Sequence, residues 1–77
     1  MSRLTPCKRP DFIRRLKKLG FDGPFAGTRH QFMVLATHRL TIPSNEEYST
    51  GQVAFMLREV EQIIGRQVTV EEWNDLK

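Results

Sequence analysis

The chain has 77 residues, one small domain at the size where a single hydrophobic core is only just sufficient. Its hydrophobic fraction of 39% and charged fraction of 27% are those of a globular protein and exclude a disordered or collagen-like chain. No apolar run approaches the length of a membrane span, and a lone cysteine, Cys7, excludes an internal disulfide or a zinc cage. So small a volume also disfavours a deep-pocket or cofactor-bound enzyme, and leaves a small hydrolase or a binding module. The opening Met1–Cys7 stretch lacks an apolar core long enough for a signal peptide, so the expectation is a cytoplasmic chain.

The net charge of +3 conceals an asymmetry. Residues 1–39 carry nine Lys and Arg against Asp11 and Asp22, a balance of +7. Residues 40–77 carry three against seven acids, a balance of −4. A basic half beside an acidic half points to one face that meets a polyanion, with a charge-balanced solvated surface as the alternative.

The first periodic segment is Asp11–Leu19, with Phe12, Ile13, Leu16 and Leu19 on one helical stripe. Pro10 suits its first turn and Gly20 its stop. Arg14 and Lys18 point away from the stripe, flanked by Arg15 and Lys17. Lys17 and Lys18 also suit the negative end of the helix dipole, which accounts for them without a ligand. A short segment, Phe21–Gly27, is interrupted by Gly23-Pro24, which predicts an edge strand or a bulge. Arg29–Ala36 and Arg39–Ile42 read as two strands around Thr37-His38, with Pro43 ending the second.

The hairpin register depends on the parity of its loop. An even loop places Met33 and Leu35 on one face with Leu40 and Ile42. An odd loop places Phe32 and Val34 there, with His30 on their side. The second pairing is the expectation, because Phe32 and Val34 are the stiffer, more strand-like residues. Residues 43–50 read as a polar loop. A second helix, Gly51 to Ile64, buries Val53, Met56, Leu57, Val60 and Ile64 and leaves Phe55 nearly opposite. Gly65 stops it. Thr69-Val70-Glu71-Glu72 is a capping box opening a last short helix with Trp73 and Leu76. The expected fold is α+β: helix, three strands, helix and a short C-terminal helix, as a small sandwich with the helices on one sheet face.

The titratable inventory is thin, with no metal-ligand spacing and no phosphate-cradling glycine loop. Cys7 lies near a flexible start with no fixed base in sight, a poor setting for a nucleophile. His30 opens a strand just after Gly27-Thr28, beside Arg29 and with the basic first helix expected nearby. Histidine titrates near neutral pH, and a proton shuttle beside cations is what RNA transesterification uses. A solvated strand-end side chain is the plainer account of His30, and plainer still for the loop-tip His38.

The ordered set Leu19-Gly20-Phe21, Gly27-Thr28-Arg29-His30-Gln31-Phe32, Leu40-Thr41-Ile42-Pro43 and Gly51-x-Val53-x-x-Met56-Leu57-Arg58-Glu59-Val60 resembles the HicA toxins of HicA–HicB toxin–antitoxin systems. Their signature is Gly-Ser-x-His-x-Phe, then Thr-Val-Pro, then a Gly-initiated helix. The resemblance spans residues 4 to about 64, leaving 65–77 as an extension of a single domain. It implies an α-β-β-β-α fold similar to a double-stranded-RNA-binding domain. It further implies a metal-independent mRNA endoribonuclease without a cofactor, an essential histidine at His30, and Gly27 and Thr28 as the turn before it. A HicB-like antitoxin protein that masks the histidine is the implied partner. Arg29 stands where many members carry His or Asn, and the Ser44–Glu47 loop is acidic where many are basic.

On this reading His30 is the general acid or base, and Gly27, Thr28, Arg29, Arg14, Arg15, Lys18 and Arg39 contact RNA. Phe55 or the basic face would be the antitoxin dock. One alternative is a non-catalytic RNA-binding module of the same fold, which would hold a duplex by charge and shape. The other is a protein-interaction partner with no nucleic-acid role, supported by Phe55 and the acidic second half.

Overall fold

The computed structural model describes residues 3–76. Its elements run β1 (Cys7–Lys8), α1 (Arg9–Lys18), β2 (Asp22–Phe25), β3 (Gln31–Leu35), β4 (His38–Ile42), β5 (Glu47–Tyr48), α2 (Thr50–Ile64) and α3 (Val70–Asp75). The expected α+β layout holds: helix, three-stranded antiparallel sheet in the order β2-β3-β4, helix, short helix. Among the described residues no helix is long and apolar enough to cross a membrane.

The helix ends follow local chemistry. Pro10 sits in the first turn of α1, and the basic residues Arg15, Lys17 and Lys18 fill its last turn. Gly20, at φ 108°, takes the left-handed conformation that lets the chain leave α1. Ser49 caps α2 by accepting from the Gln52 backbone N–H at 3.2 Å, and Thr69 caps α3 by accepting from the Glu72 N–H at 3.0 Å. The Glu72 carboxylate forms a two-pronged pair with the Arg66 guanidinium, both contacts at 2.8 Å.

The hairpin register differs from the expectation. β3 and β4 pair Met33 with Leu40 and Leu35 with His38, so the loop has two residues, Ala36 and Thr37. Met33, Leu40 and Ile42 are fully buried, while Phe32 and Val34 face the other way and are half-buried. Ala36 makes this tight turn possible by adopting φ 55°. Two-residue hairpin loops demand such a conformation and usually recruit Gly or Asn for it. β2 is an edge strand with a register shift between its Asp22–Val34 and Phe25–Phe32 pairs, as Gly23-Pro24 predicts.

The core lies between one face of this sheet and the helices. Phe12, Ile13 and Leu16 of α1, Val53, Met56, Leu57 and Val60 of α2, and Met33, Leu40 and Ile42 of the sheet form one cluster. Val68 and Trp73 from the extension belong to it as well. Trp73 is fully buried against Phe12, ring centroids 4.9 Å apart, with Arg15 over its ring at 5.2 Å. Phe55 remains 64% exposed.

Residues 43–50 are not simply a loop. β5 pairs with β1, Cys7 opposite Tyr48, in a second, two-stranded ladder. This ladder leads directly into both α1 and α2, and the Arg9 N–H bonds the Glu46 carbonyl at 3.0 Å. Tyr48 is fully buried edge-on to Phe12 at 5.4 Å and donates its hydroxyl to the Pro43 carbonyl at 2.6 Å. Cys7 is therefore held in a strand, not in a flexible start.

Candidate functional site

Alternation along β3 and β4 sends Phe32, Val34, Arg39 and Thr41 to the sheet face opposite the helices. A shallow open groove of about 590 Å³ lies there, lined by Ala26, Gly27, Thr28, His30, Phe32, Arg39 and Thr41. The structure thus brings together His30 and three of the residues named with it, Gly27, Thr28 and Arg39.

Gly27 shapes the turn that delivers His30. A Cβ at this position would lie 2.3 Å from the His30 carbonyl oxygen and 3.4 Å from Phe32 Cδ1. Glycine is required here by close approach and not by torsion, since the described glycines at positive φ are Gly20, Gly23 and Gly65. His30 is exposed, and its imidazole makes no hydrogen bond or ion pair with any described residue. Arg39 stacks its guanidinium over the Phe32 ring, 4.6 Å from the centroid, which orients the cation beside the groove while leaving its N–H edge for a ligand. Thr41, opposite Phe32 on the neighbouring strand, adds a hydroxyl.

The α1 cations are placed elsewhere. The buried stripe of α1 meets the inner face of the sheet, so Arg14 and Lys18 lie on the far side of the helical layer from the groove. Arg14 pairs with Asp11 at 2.6 Å, both exposed. Arg15 is half-buried against Trp73, and its Nε, like Trp73 Nε1, is buried without a hydrogen-bond partner. Arg29 is exposed beside His30 but does not line the groove. The basic first half is therefore not one continuous face around His30.

Cys7 is removed from chemistry by its setting. Burial pushes its thiol above the ordinary range, and nearby Arg15 only partly opposes this, so the protonated form prevails. Tyr48 is pushed up for the same reason against the opposing charge and hydrogen bond of Arg9. Arg9 itself binds inward, from Nε to the Pro43 carbonyl at 3.3 Å and from its guanidinium to Gln31 Oε1. A second groove, beside the β1–β5 ladder, sets Lys8 and Arg9 against Glu46 and Glu47, so its charge is mixed. Among the described residues no cluster of His, Cys, Asp or Glu is arranged to hold a metal ion.

Ala26, Phe32 and Thr41 also line the groove and were not among the site residues expected from the sequence. Phe32 and Thr41 share a face with Arg39 once the loop has two residues, so the correct parity would have found them. The groove is lined by a cation, two threonine hydroxyls and an exposed imidazole, groups of the kind that bind anions, with an aromatic ring beside them. Comparison of the chain with protein-family models, curated proteins and solved structures returns no match.

Proposed function

We propose that this protein is a HicA-like mRNA endoribonuclease, the toxin of a type II toxin–antitoxin pair, with His30 as its general acid and base. The observation that carries the reading is the convergence of Gly27, Thr28, His30 and Arg39 on one groove. The motif resemblance supplies the reaction class, and the groove supplies groups of the right kind for it.

In this mechanism the His30 imidazole takes the proton of a ribose 2′-hydroxyl, and the freed oxygen attacks the adjacent phosphorus. Arg39, with the Thr28 and Thr41 hydroxyls, steadies the added negative charge of the phosphorane. The P–O5′ bond then breaks, the 5′ oxygen receives the proton from the imidazolium, and the products are a 2′,3′-cyclic phosphate and a 5′-hydroxyl end. The groove is open to solvent, so a toxin of this design needs an inhibitor that covers it, a HicB-like antitoxin.

The test is cleavage of RNA in the presence of a chelator by the wild type and by His30→Ala, with analysis of the end groups. Wild-type cleavage to cyclic phosphate ends, lost in the variant, is expected. RNA that is shifted on a gel yet left intact would leave a non-catalytic RNA-binding module instead.

A further inference from the structure

The bulge in β2 re-aims one aromatic side chain. Asp22 pairs with Val34, which faces outward, so regular alternation would send Phe25 inward, toward the core. The register shift between Asp22 and Phe25 reverses this. Phe25 now stands opposite Phe32 on the outer face, 46% exposed, with the two rings 5.7 Å apart and tilted by 38°. Gly23 makes the shift possible. It sits at φ 124°, and a Cβ there would meet the Phe32 carbonyl at 3.0 Å and Met33 Sδ at 3.1 Å. A large apolar ring has thus been diverted from the core to solvent, next to a groove carrying His30 and Arg39.

We propose that Phe25 is a stacking platform for an unpaired nucleobase of the strand bound in the groove; this rests on the RNA reading above. The chemistry of the two parts is complementary. Arg39 and the threonine hydroxyls suit a phosphate, whereas an exposed aromatic ring suits the face of a base. A duplex keeps its base faces within its own stack, so it gains nothing from Phe25. An unpaired nucleotide can place its phosphate in the groove and its base on the ring at once. The arrangement also suits the reaction, because an unstacked nucleotide has the backbone freedom to bring its 2′-hydroxyl in line with the phosphorus.

The experiment measures binding with 2′-O-methyl oligonucleotides, which cannot be cleaved. Three ligands of equal length are compared: an unpaired strand, the same strand annealed to its complement, and a strand of abasic residues. The wild type is expected to prefer the unpaired strand by about tenfold or more over the other two. Phe25→Ala is expected to lose that preference while keeping its affinity for the abasic strand, and Phe25→Trp to retain it. Circular dichroism confirms that each variant is folded. Equal loss of affinity for base-bearing and abasic strands, or duplex bound as tightly as single strand by the wild type, overturns the proposal. If wild-type protein cleaves RNA but Phe25→Ala leaves oligonucleotide binding unchanged, the base platform alone falls. If the wild type binds no RNA even at low salt, the RNA reading falls and the platform with it.

Discussion

Replacing Gly27 by alanine would put a methyl carbon 2.3 Å from the His30 carbonyl oxygen, where real Cβ atoms essentially never come under 3.0 Å. The His30 backbone must retreat by about 0.7 Å to restore that limit. The neighbour is backbone rather than the end of a flexible side chain, so the displacement reaches the imidazole. Displacement of a reacting group by about 1 Å costs on the order of 100-fold in rate, so a loss of about 10- to 100-fold in kcat is expected for Gly27→Ala. Overpacking costs roughly 1–3 kcal/mol and loss of glycine's freedom in the unfolded chain returns about 0.4–1 kcal/mol. The melting temperature of so small a domain should then fall by several degrees, about 4–8 °C per kcal/mol. Cleavage of a fluorogenic RNA well below the melting temperature reads the kinetic effect. The carbon-bound imidazole proton resonances of His30 read the displacement independently of activity. Wild-type turnover with unshifted resonances in Gly27→Ala would refute the claim that this close approach positions His30.

Trp73→Ala should cost about 3–5 kcal/mol, a large share of the stability of a domain this size, because it empties a fully buried site between Phe12 and Arg15. Urea unfolding checks it, and a midpoint equal to wild type would count against the packing described. The Arg66 pairing holds the Glu72 carboxyl below its ordinary range, so its contribution is fully present above the unfolded carboxyl's pKa and is lost as pH falls through the lowered folded value. Thermal melts at descending pH should show this acid limb in the wild type and a shallower one in Glu72→Gln. Arg39→Ala should weaken RNA binding about tenfold and reduce the salt slope by about one, whereas Arg14→Ala, across the helical layer, should change neither by a comparable amount. Filter binding at several salt concentrations distinguishes the two.

The helices and the edge-strand bulge were legible because their signals are local. An apolar stripe, a Pro at the start, a Gly at the stop and a Thr-x-x-Glu box each act within a few residues. The hairpin register was not legible, and the reason lies in Ala36. A two-residue turn normally announces itself with Asn-Gly or a similar pair, and Ala36-Thr37 carries no such mark. Propensity then favoured Phe32 and Val34 for the core, whereas the turn parity puts Met33 there and turns the aromatic ring toward the groove. The β1–β5 ladder was hidden for a different reason. Two residues show no periodicity, and the Cys7–Tyr48 pairing joins segments far apart in the chain. The motif named His30, Gly27 and Thr28, which line one groove, but it carried no sign of their separation from Arg14, Arg15 and Lys18. Counting charge along the chain carries no information about which layer a side chain occupies.

The burial of Trp73 against Phe12 also constrains the order in which this molecule can form. The two rings are among the largest side chains of the core, yet they are separated by most of the sequence. During synthesis α1 is complete while its aromatic partner has still to be made, so the apolar face of α1 has no finished site to occupy. Closing the Phe12–Trp73 contact joins elements near the two ends of the sequence, a non-local pairing whose loop-closure entropy must be met before the contact stabilises the core. The scaffold beneath the groove is therefore fastened by a contact that no fragment lacking α3 can make.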